Sequence, residues 1–352
     1  MTPTKPQADF FWFTNDEMPN DFYHDKEAWT FDYVSGSSLG KIHSSCLAKW
    51  RFEENEPTAA LEFGTQAHTN FESNELFAST YRRAPFVEDF KDAITSQAAF
   101  AAKLKSFGLT GTSGKQYPEL CKIYADCGED LNVMWIEDLI AQSKAAHDGV
   151  ELVKAEDYDA CVSMRKVLES IPEYAQLMND PAAMHELSLF GKINGVNVKV
   201  RLDYCATISD PEMIKLLGYN PEINPEIVLI LDYKTTTSAN PHEFDRKAFD
   251  LGYYLKMALQ RDLFVNVFEE TRPVAVVLLT QEKKAPFLPL ARPMTKEQII
   301  HGRKQYMSVI HQYEISSRDD VWPSYANGAP FVHLQTPDYI KRQHPDIYGE
   351  NK

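Results

Sequence analysis

The chain has 352 residues and a net charge of −15, from 36 lysines and arginines against 51 aspartates and glutamates. At about 150 residues per domain this is one large domain or two small ones. With 43% hydrophobic and 25% charged residues it is neither wholly disordered nor short of material for a core. The acidity excludes a protein that coats nucleic acid by general charge attraction, but it leaves room for a nucleic-acid enzyme with a local basic track.

No run of apolar residues is long enough to cross a membrane. The opening MTPTKPQADFFWF lacks a basic region followed by an apolar core and a small-residue cleavage site, so cytoplasmic residence is expected. The cysteines Cys46, Cys121, Cys127, Cys161 and Cys205 are odd in number and contain no CxxC pair. Reduced thiols are expected, with neither a disulfide framework nor a zinc or iron–sulfur cluster.

Residues 1–34 combine nine aromatic residues, from Phe10 to Tyr33, with seven acids and two lysines. Such a segment is too aromatic for a solvating tail. It reads either as an arm docked on its own domain or as a partner-binding or DNA-mimicking arm. Ser37-Ser38 precede Leu39, Ile42, Cys46 and Trp50 at helical spacing. Further helices are expected over 58–72, 88–107, 129–147 and 155–178, the last bent at Pro172. GLTGTSGKQYP reads as a loop.

The pattern then changes. Residues 186–206 alternate apolar and polar residues around Asn194-Gly195, a hairpin signature. PEIVLILDYKTTTS reads as a buried central strand. A helix over 243–264, a strand at 273–280 and a helix from 295 follow, the last opened by the capping-box pair Thr295 and Gln298. VWPSYANGAPFVHL reads as a loop and short strand. The order implies a mixed α/β core behind a helical N-terminal part. The division expected is an arm at 1–34 and one domain over 35–352, with a helical part at 35–180, a core at 181–290 and a helix and tail at 291–352.

Asp232-Tyr233-Lys234 ends the apolar strand, where charges do not serve packing. Asp232 and Lys234 are two apart and share a strand face, as an ordinary ion pair also would. Asp203 follows Arg201 in the hairpin. Two converging carboxylates repel unless a cation lies between them, and hard oxygen ligands favour Mg²⁺ or Mn²⁺. Glu186 offers a third carboxylate, and His68 lies in FGTQAH on a helix.

Together these segments resemble the PD-(D/E)XK nucleases of the RecB type, and more closely the RecE or exodeoxyribonuclease VIII group of phages and prophages. The resemblance rests on SGSSLGKIHSSCLAKW, on Gly64, Thr65 and His68 in ALEFGTQAH, and on Glu186 and Asp203 in ELSLFGKINGVNVKVRLDY. It continues through Asp232 and Lys234 in LDYKTTTSANPHEF, AFDLGYYLKMALQRDLF and WPSY. It implies a PD-(D/E)XK core, with a mixed sheet flanked by helices. It implies that Asp203, Asp232, the Tyr233 carbonyl and Glu186 hold Mg²⁺, with Mn²⁺ as a substitute. Lys234 then acts on the attacking water or the phosphate, and Glu186 and His68 assist. Two features depart from the family pattern. Asp203 and Asp232 are 29 residues apart, which reads as an inserted polar loop, and Lys256 stands where glutamine is common.

On the helix after the strand, Phe244, Ala248, Leu251, Leu255 and Ala258 form the core stripe. Arg246, Tyr253, Lys256 and Gln260 fall near another stripe, either a solvated face or a DNA-backbone-contacting one; Thr235 and Arg201 join it as candidate DNA contacts. The function implied is hydrolysis of linear double-stranded DNA from its ends, 5′ to 3′, leaving single-stranded tails for recombination. No Walker A pattern occurs, so no ATP motor is expected and a ring-shaped homo-oligomer would aid processivity. A single-strand annealing recombinase is the partner implied. The alternatives are a repair nuclease acting on flaps or single strands, and an inactive DNA-end or protein-binding module of the same fold.

Overall fold

The computed structural model describes residues 2–349 apart from 55, 57, 87, 88, 90–93, 129–133 and 147–149. The N-terminal arm supplies β1 (Phe11–Phe13) and α1 (Asn20–His24). β2 (Val34–Ser35) leads into α2 (Gly36–Ser44) and α3 (Leu47–Phe52). The expected single helix here is broken at Ser45, and its cap is Ser35, whose Oγ accepts the Ser38 N–H at 3.0 Å. Then come α4 (Ala59–Glu72), α5 (Asn74–Thr80), β3 (Tyr81–Arg83), α6 (Gln97–Ser106), α7 (Tyr117–Asp126), α8 (Ile136–Ala146) and β4 (Glu151–Val153). The expected helix over 88–107 begins only at Gln97, and much of its first part lies outside the described residues, as do 129–133. The expected loop ends where α7 starts. Pro118 suits the first turn of that helix, and a capping box joins Gln116 and Glu119.

α9 (Ala155–Glu169) and α10 (Pro172–Met178) break at the expected proline. The hairpin is β5 (Met184–Ile193) and β6 (Val196–Ile208), followed by α11 (Pro211–Leu216), β7 (Ile227–Thr236), α12 (Pro241–Asp250), α13 (Tyr253–Phe268), β8 (Val274–Glu282), β9 (Pro289–Pro293) and α14 (Lys296–Asp319). The 204–226 segment is more than a polar loop: it carries α11, whose Met213 and Ile214 are buried. The helix expected over 243–264 is two helices, because Gly252 takes a left-handed φ of 72° that ends the first. β9 was not expected. The closing region has no strand among its described residues, only a short 3₁₀ turn and the helices α15 (Asp338–Gln343) and α16 (Pro345–Tyr348).

The sheet runs β1-β5-β6-β7-β8-β9, with β2 beside β6; β7–β8 and β2–β6 are parallel and the other pairs antiparallel. It is buried on both faces, which is why β7 and β8 read as continuous apolar runs. One layer is built on α2, α13 and α14, the other on α4, α9 and α11. α13 and α14 approach closely at Gly302, where a Cβ would stand 2.0 Å from the Tyr254 carbonyl oxygen. Asp262 on α13 ties them further, accepting from Arg303 at 2.6 Å and from Tyr306 at 2.7 Å.

The aromatic arm docks on its own sheet. Phe11 stacks on Phe190 at 5.1 Å, and Phe11, Met18, Tyr23, Tyr33 and Phe190 form a separate buried cluster. Two cations of β6 hold the arm from beneath. Lys199 donates to the Tyr23 carbonyl at 2.7 Å, and Arg201 donates to the Met18 carbonyl at 2.6 Å. Lys199 is only 5% exposed. Burial, with Arg201 adding to it, pushes its amine down to about 8.

Unfolded, this amine titrates near ~10.4. Between these values the unfolded chain holds more protons, so the Lys199 contribution to stability rises with pH across that window. Lys199→Met removes the titration. The unfolding midpoint of wild type is expected to gain on that of the variant between about pH 8 and pH 10. Parallel midpoints would contradict the assignment.

Candidate active site

The β6–β7 ladder ends at Tyr204 and Leu231. The next opposed pair would be Asp203 and Asp232, and here the strands splay. On the other side of β6, the register steps from His185–Tyr204 to Leu187–Leu202 and leaves Glu186 and Asp203 outside the ladder. Glu186 has a φ of 52°, a left-handed backbone that a glutamate adopts only at a cost. The kink switches faces. Leu202 packs into the α13 layer, whereas Tyr204, two residues on, packs into the α4 layer. In a regular strand both would share one face. The alternation read from the sequence therefore fails at the two carboxylates.

The gap is filled by charge. Lys234 Nζ lies 2.9 Å from Asp232 Oδ2, 3.3 Å from Asp203 Oδ2 and 2.9 Å from the Tyr233 carbonyl oxygen. Asp203 Oδ2 also accepts the Tyr233 N–H at 2.9 Å, replacing the missing ladder bond. The ammonium of Lys234 thus lies between the two carboxylates where a metal was expected. Asp232 is fully buried, and its other oxygen meets Lys256 Nζ at 3.1 Å and Gln260 Nε2 at 3.3 Å, both from α13.

Across the sheet, α4 presents His68. Its Nε2 stands 3.1 Å from Asp203 Oδ2, and its Nδ1 stands 3.6 Å from Glu186 Oε1. The Tyr233 ring stacks on Phe71 of α4 at 4.5 Å and fixes that helix against β7.

The charges act on one another. Burial opposes the charged forms of Asp203 and Asp232, yet both carboxyls stay below their usual range. Lys234 and His68 hold Asp203 down, and Lys234 and Lys256 outweigh burial and Asp203 at Asp232. Burial alone would lower the Lys234 amine, but the two aspartates raise it, so it is an ammonium at neutral pH. Burial likewise works against a charged His68, and Asp203 and Glu186 overcome it. Burial pushes Glu186 up to about 7 despite His68. Glu72 is raised by burial in the same way.

A cavity of about 590 Å³ opens onto this cluster. His68, Glu186, Tyr233, Lys234 and Thr235 line it, as do two residues the sequence reading missed, Glu72 and Lys283. The signal for Glu72 was its i,i+4 spacing from His68 on one helix. Asp203 and Asp232 stand behind the cavity rather than in its wall.

Other expected contacts are placed differently. Arg201 is turned into the arm, donating to Ser188 Oγ at 2.9 Å, with Glu186 at 3.7 Å. Gln260 is fully buried. Neither offers a free donor to a bound strand. Arg246 lies on α12, exposed and 3.8 Å from Asp250, apart from Lys256 and Gln260 on α13. Tyr253 is half-buried, stacked on Phe244 at 6.2 Å.

His68, Glu72 and Glu186 can each offer a ligand atom within 4.8 Å of the others. One imidazole and two carboxylates, with Asp203 beside the imidazole, are a donor set that fits a divalent cation of the Mg²⁺ or Mn²⁺ kind.

No family model and no curated protein matches the sequence. Among solved structures, the protein named "Putative exonuclease" from Eubacterium rectale matches with a TM-score of 0.50 and 12% identity, covering 94% of this chain and 98% of that one. The crystal structure of SSO0001 matches with a TM-score of 0.22 and 11% identity, over 62% of this chain and 77% of that one. The first likeness shows a shared fold: a mixed sheet flanked by helices, built along nearly the whole of both chains.

Asp232→Ala would leave the Lys234 and Lys256 charges without their shared carboxylate. A loss of about 3–5 kcal/mol in denaturant unfolding is expected, against less than about 1 kcal/mol for Glu72→Ala in the cavity wall. Equal losses would contradict the buried bridge.

Proposed function

We propose that this chain is a metal-dependent exodeoxyribonuclease of the PD-(D/E)XK kind that hydrolyses linear double-stranded DNA from its ends, 5′ to 3′, and leaves single-stranded tails for recombination. The observation that carries this reading is the unbroken chain of contacts from Glu186 through His68, Asp203 and Lys234 to Asp232, at a splayed strand pair beside an open cavity. The fold shared with the protein named "Putative exonuclease" is consistent with it.

In this reading His68, Glu72, Glu186 and Asp203 hold a divalent cation, Mg²⁺ with Mn²⁺ as a substitute; Asp232 and the Tyr233 carbonyl, expected as ligands, are instead taken up by Lys234. Bound there, the cation would lower the pKa of a coordinated water and draw charge from the phosphate. Lys234 stays protonated between its aspartates, so it serves as a fixed positive charge for the phosphate oxygens and not as a base. Asp232 is the anchor that aims Lys234, and Lys256 and Gln260 hold Asp232 in turn. Thr235 lines the same wall. Hydrolysis joins the water oxygen to phosphorus and breaks one bridging P–O bond, whose oxygen leaves with a proton. The ring-shaped homo-oligomer and the annealing partner belong to the same proposal, and native mass measurement tests the ring.

Linear duplex labelled separately at its 5′ and 3′ ends, digested across a Mg²⁺ titration, tests activity, metal need and polarity together. Release of the 5′ label first is expected, with no release in chelator. His68→Ala, Glu186→Gln and Lys234→Met should each slow release by about 10²-fold or more. Wild-type rates in the folded Lys234→Met variant would overturn the reading.

A further inference from the structure

The cavity is a groove that follows α4. Ala60, Gly64, His68 and Glu72 recur along one face of the helix and all line it. At about 1.5 Å per residue that face runs some ~18 Å, room for several nucleotides of one strand at about 3.4 Å each. Its two ends differ in charge. At the N-terminal end of α4, Lys283 lines the groove, its Nζ 3.3 Å from the Ala60 carbonyl oxygen, with Lys247 close enough to act on it. At the C-terminal end the wall is the N-terminal arm: Asn15, Asn20 and His24 line the groove, and Asn15 Nδ2 lies 3.5 Å from Glu72 Oε1.

The exposed charges of that arm are mostly negative. Asp16, Glu17, Asp21, Asp25 and Glu27 are exposed beside the groove-lining residues, with Lys26 the lone lysine among them. Burial, Lys199 and Arg201 disfavour a charged His24, against Asp21. The two buried cations on this side, Lys199 and Arg201, point into the arm's carbonyls. The arm is also fixed: β1 is paired with β5, and Met18 and Tyr23 are buried.

From this placement we infer that residues 14–25 are an end stop: a strand lies along α4 with its phosphates toward Lys283, and its terminal nucleotide abuts Asn15 and Asn20. A strand continuing past the metal site would bring its next phosphates against the acidic arm, at a cost that rises as salt falls. The substrate class is therefore a free strand end, and an uninterrupted strand is refused. The inference rests on the nuclease reading above and adds what makes the site select ends.

Linear single strands and covalently closed circular single strands of the same sequence, digested in Mg²⁺ by the full chain, test it. Wild type should degrade the linear strand and leave the circle intact. The variant Asp16→Lys/Asp21→Lys alters exposed positions, and an unchanged unfolding midpoint checks that it folds. It should raise the ratio of circular to linear cleavage by about tenfold or more. Equal cleavage of both forms by wild type overturns the end stop while upholding the nuclease. An unmoved ratio in the folded variant also overturns it. If wild type cuts linear duplex but neither single-stranded form, the placement of a free strand end along α4 falls while the nuclease stands; if it cuts neither form nor linear duplex, both fall.

Discussion

The Lys234 ammonium held between Asp203 and Asp232 is the interaction on which the site depends. It stands where the β6–β7 ladder stops, and it turns two carboxylates that would repel each other into a neutralised pair. The arrangement is costly to assemble, since Asp232 is fully buried and Asp203 nearly so. It persists because every charge has a counterpart: Lys256 and Gln260 on Asp232, His68 and the Tyr233 N–H on Asp203. What this stored polarity supplies is position. Lys234 cannot drift without leaving two carboxylates unpaired.

The rest of the fold serves that position from two sides. α13, packed between the sheet and α14, delivers Lys256 and Gln260 from one layer. α4, clamped by the Phe71–Tyr233 stack, delivers His68 and Glu72 from the other. The kink at Glu186 lets Asp203 and Glu186 serve both layers. The arm completes the groove wall, so the aromatic cluster that buries Phe11, Met18 and Tyr23 is also what fixes one end of the cavity. The arm's exposed acids, Asp16, Glu17, Asp21 and Asp25, are sequence neighbours of Asn15, Asn20 and His24 in that wall.

Much of this was legible in the sequence. The apolar run of β7, the Asn194-Gly195 hairpin and the Thr295–Gln298 cap are local signals, and local signals survive into the structure. So did the meeting of Glu186, Asp203, Asp232, Lys234 and His68. What escaped depends on tertiary context. The face switch at Glu186 has no signature in an alternating pattern, because positive φ in a glutamate is imposed by its surroundings. Arg201 and Gln260 look like surface donors until the arm covers the first and the packing of α13 on the sheet buries the second. Helix breaks at Ser45 and Gly252 separate stripes that periodicity joined, and this moved Arg246 away from the site. Glu72 was visible in principle, four residues beyond His68, but the i,i+4 pair was not read.

The most direct measurement is Mn²⁺ anomalous diffraction from crystals of the full chain soaked in the metal. A single strong peak within ligand distance of His68, Glu186 and Asp203, with Lys234 still bridging the two aspartates, is the expected result. No peak beside His68, or a peak elsewhere on the chain, would contradict the assignment of this cluster as the metal centre.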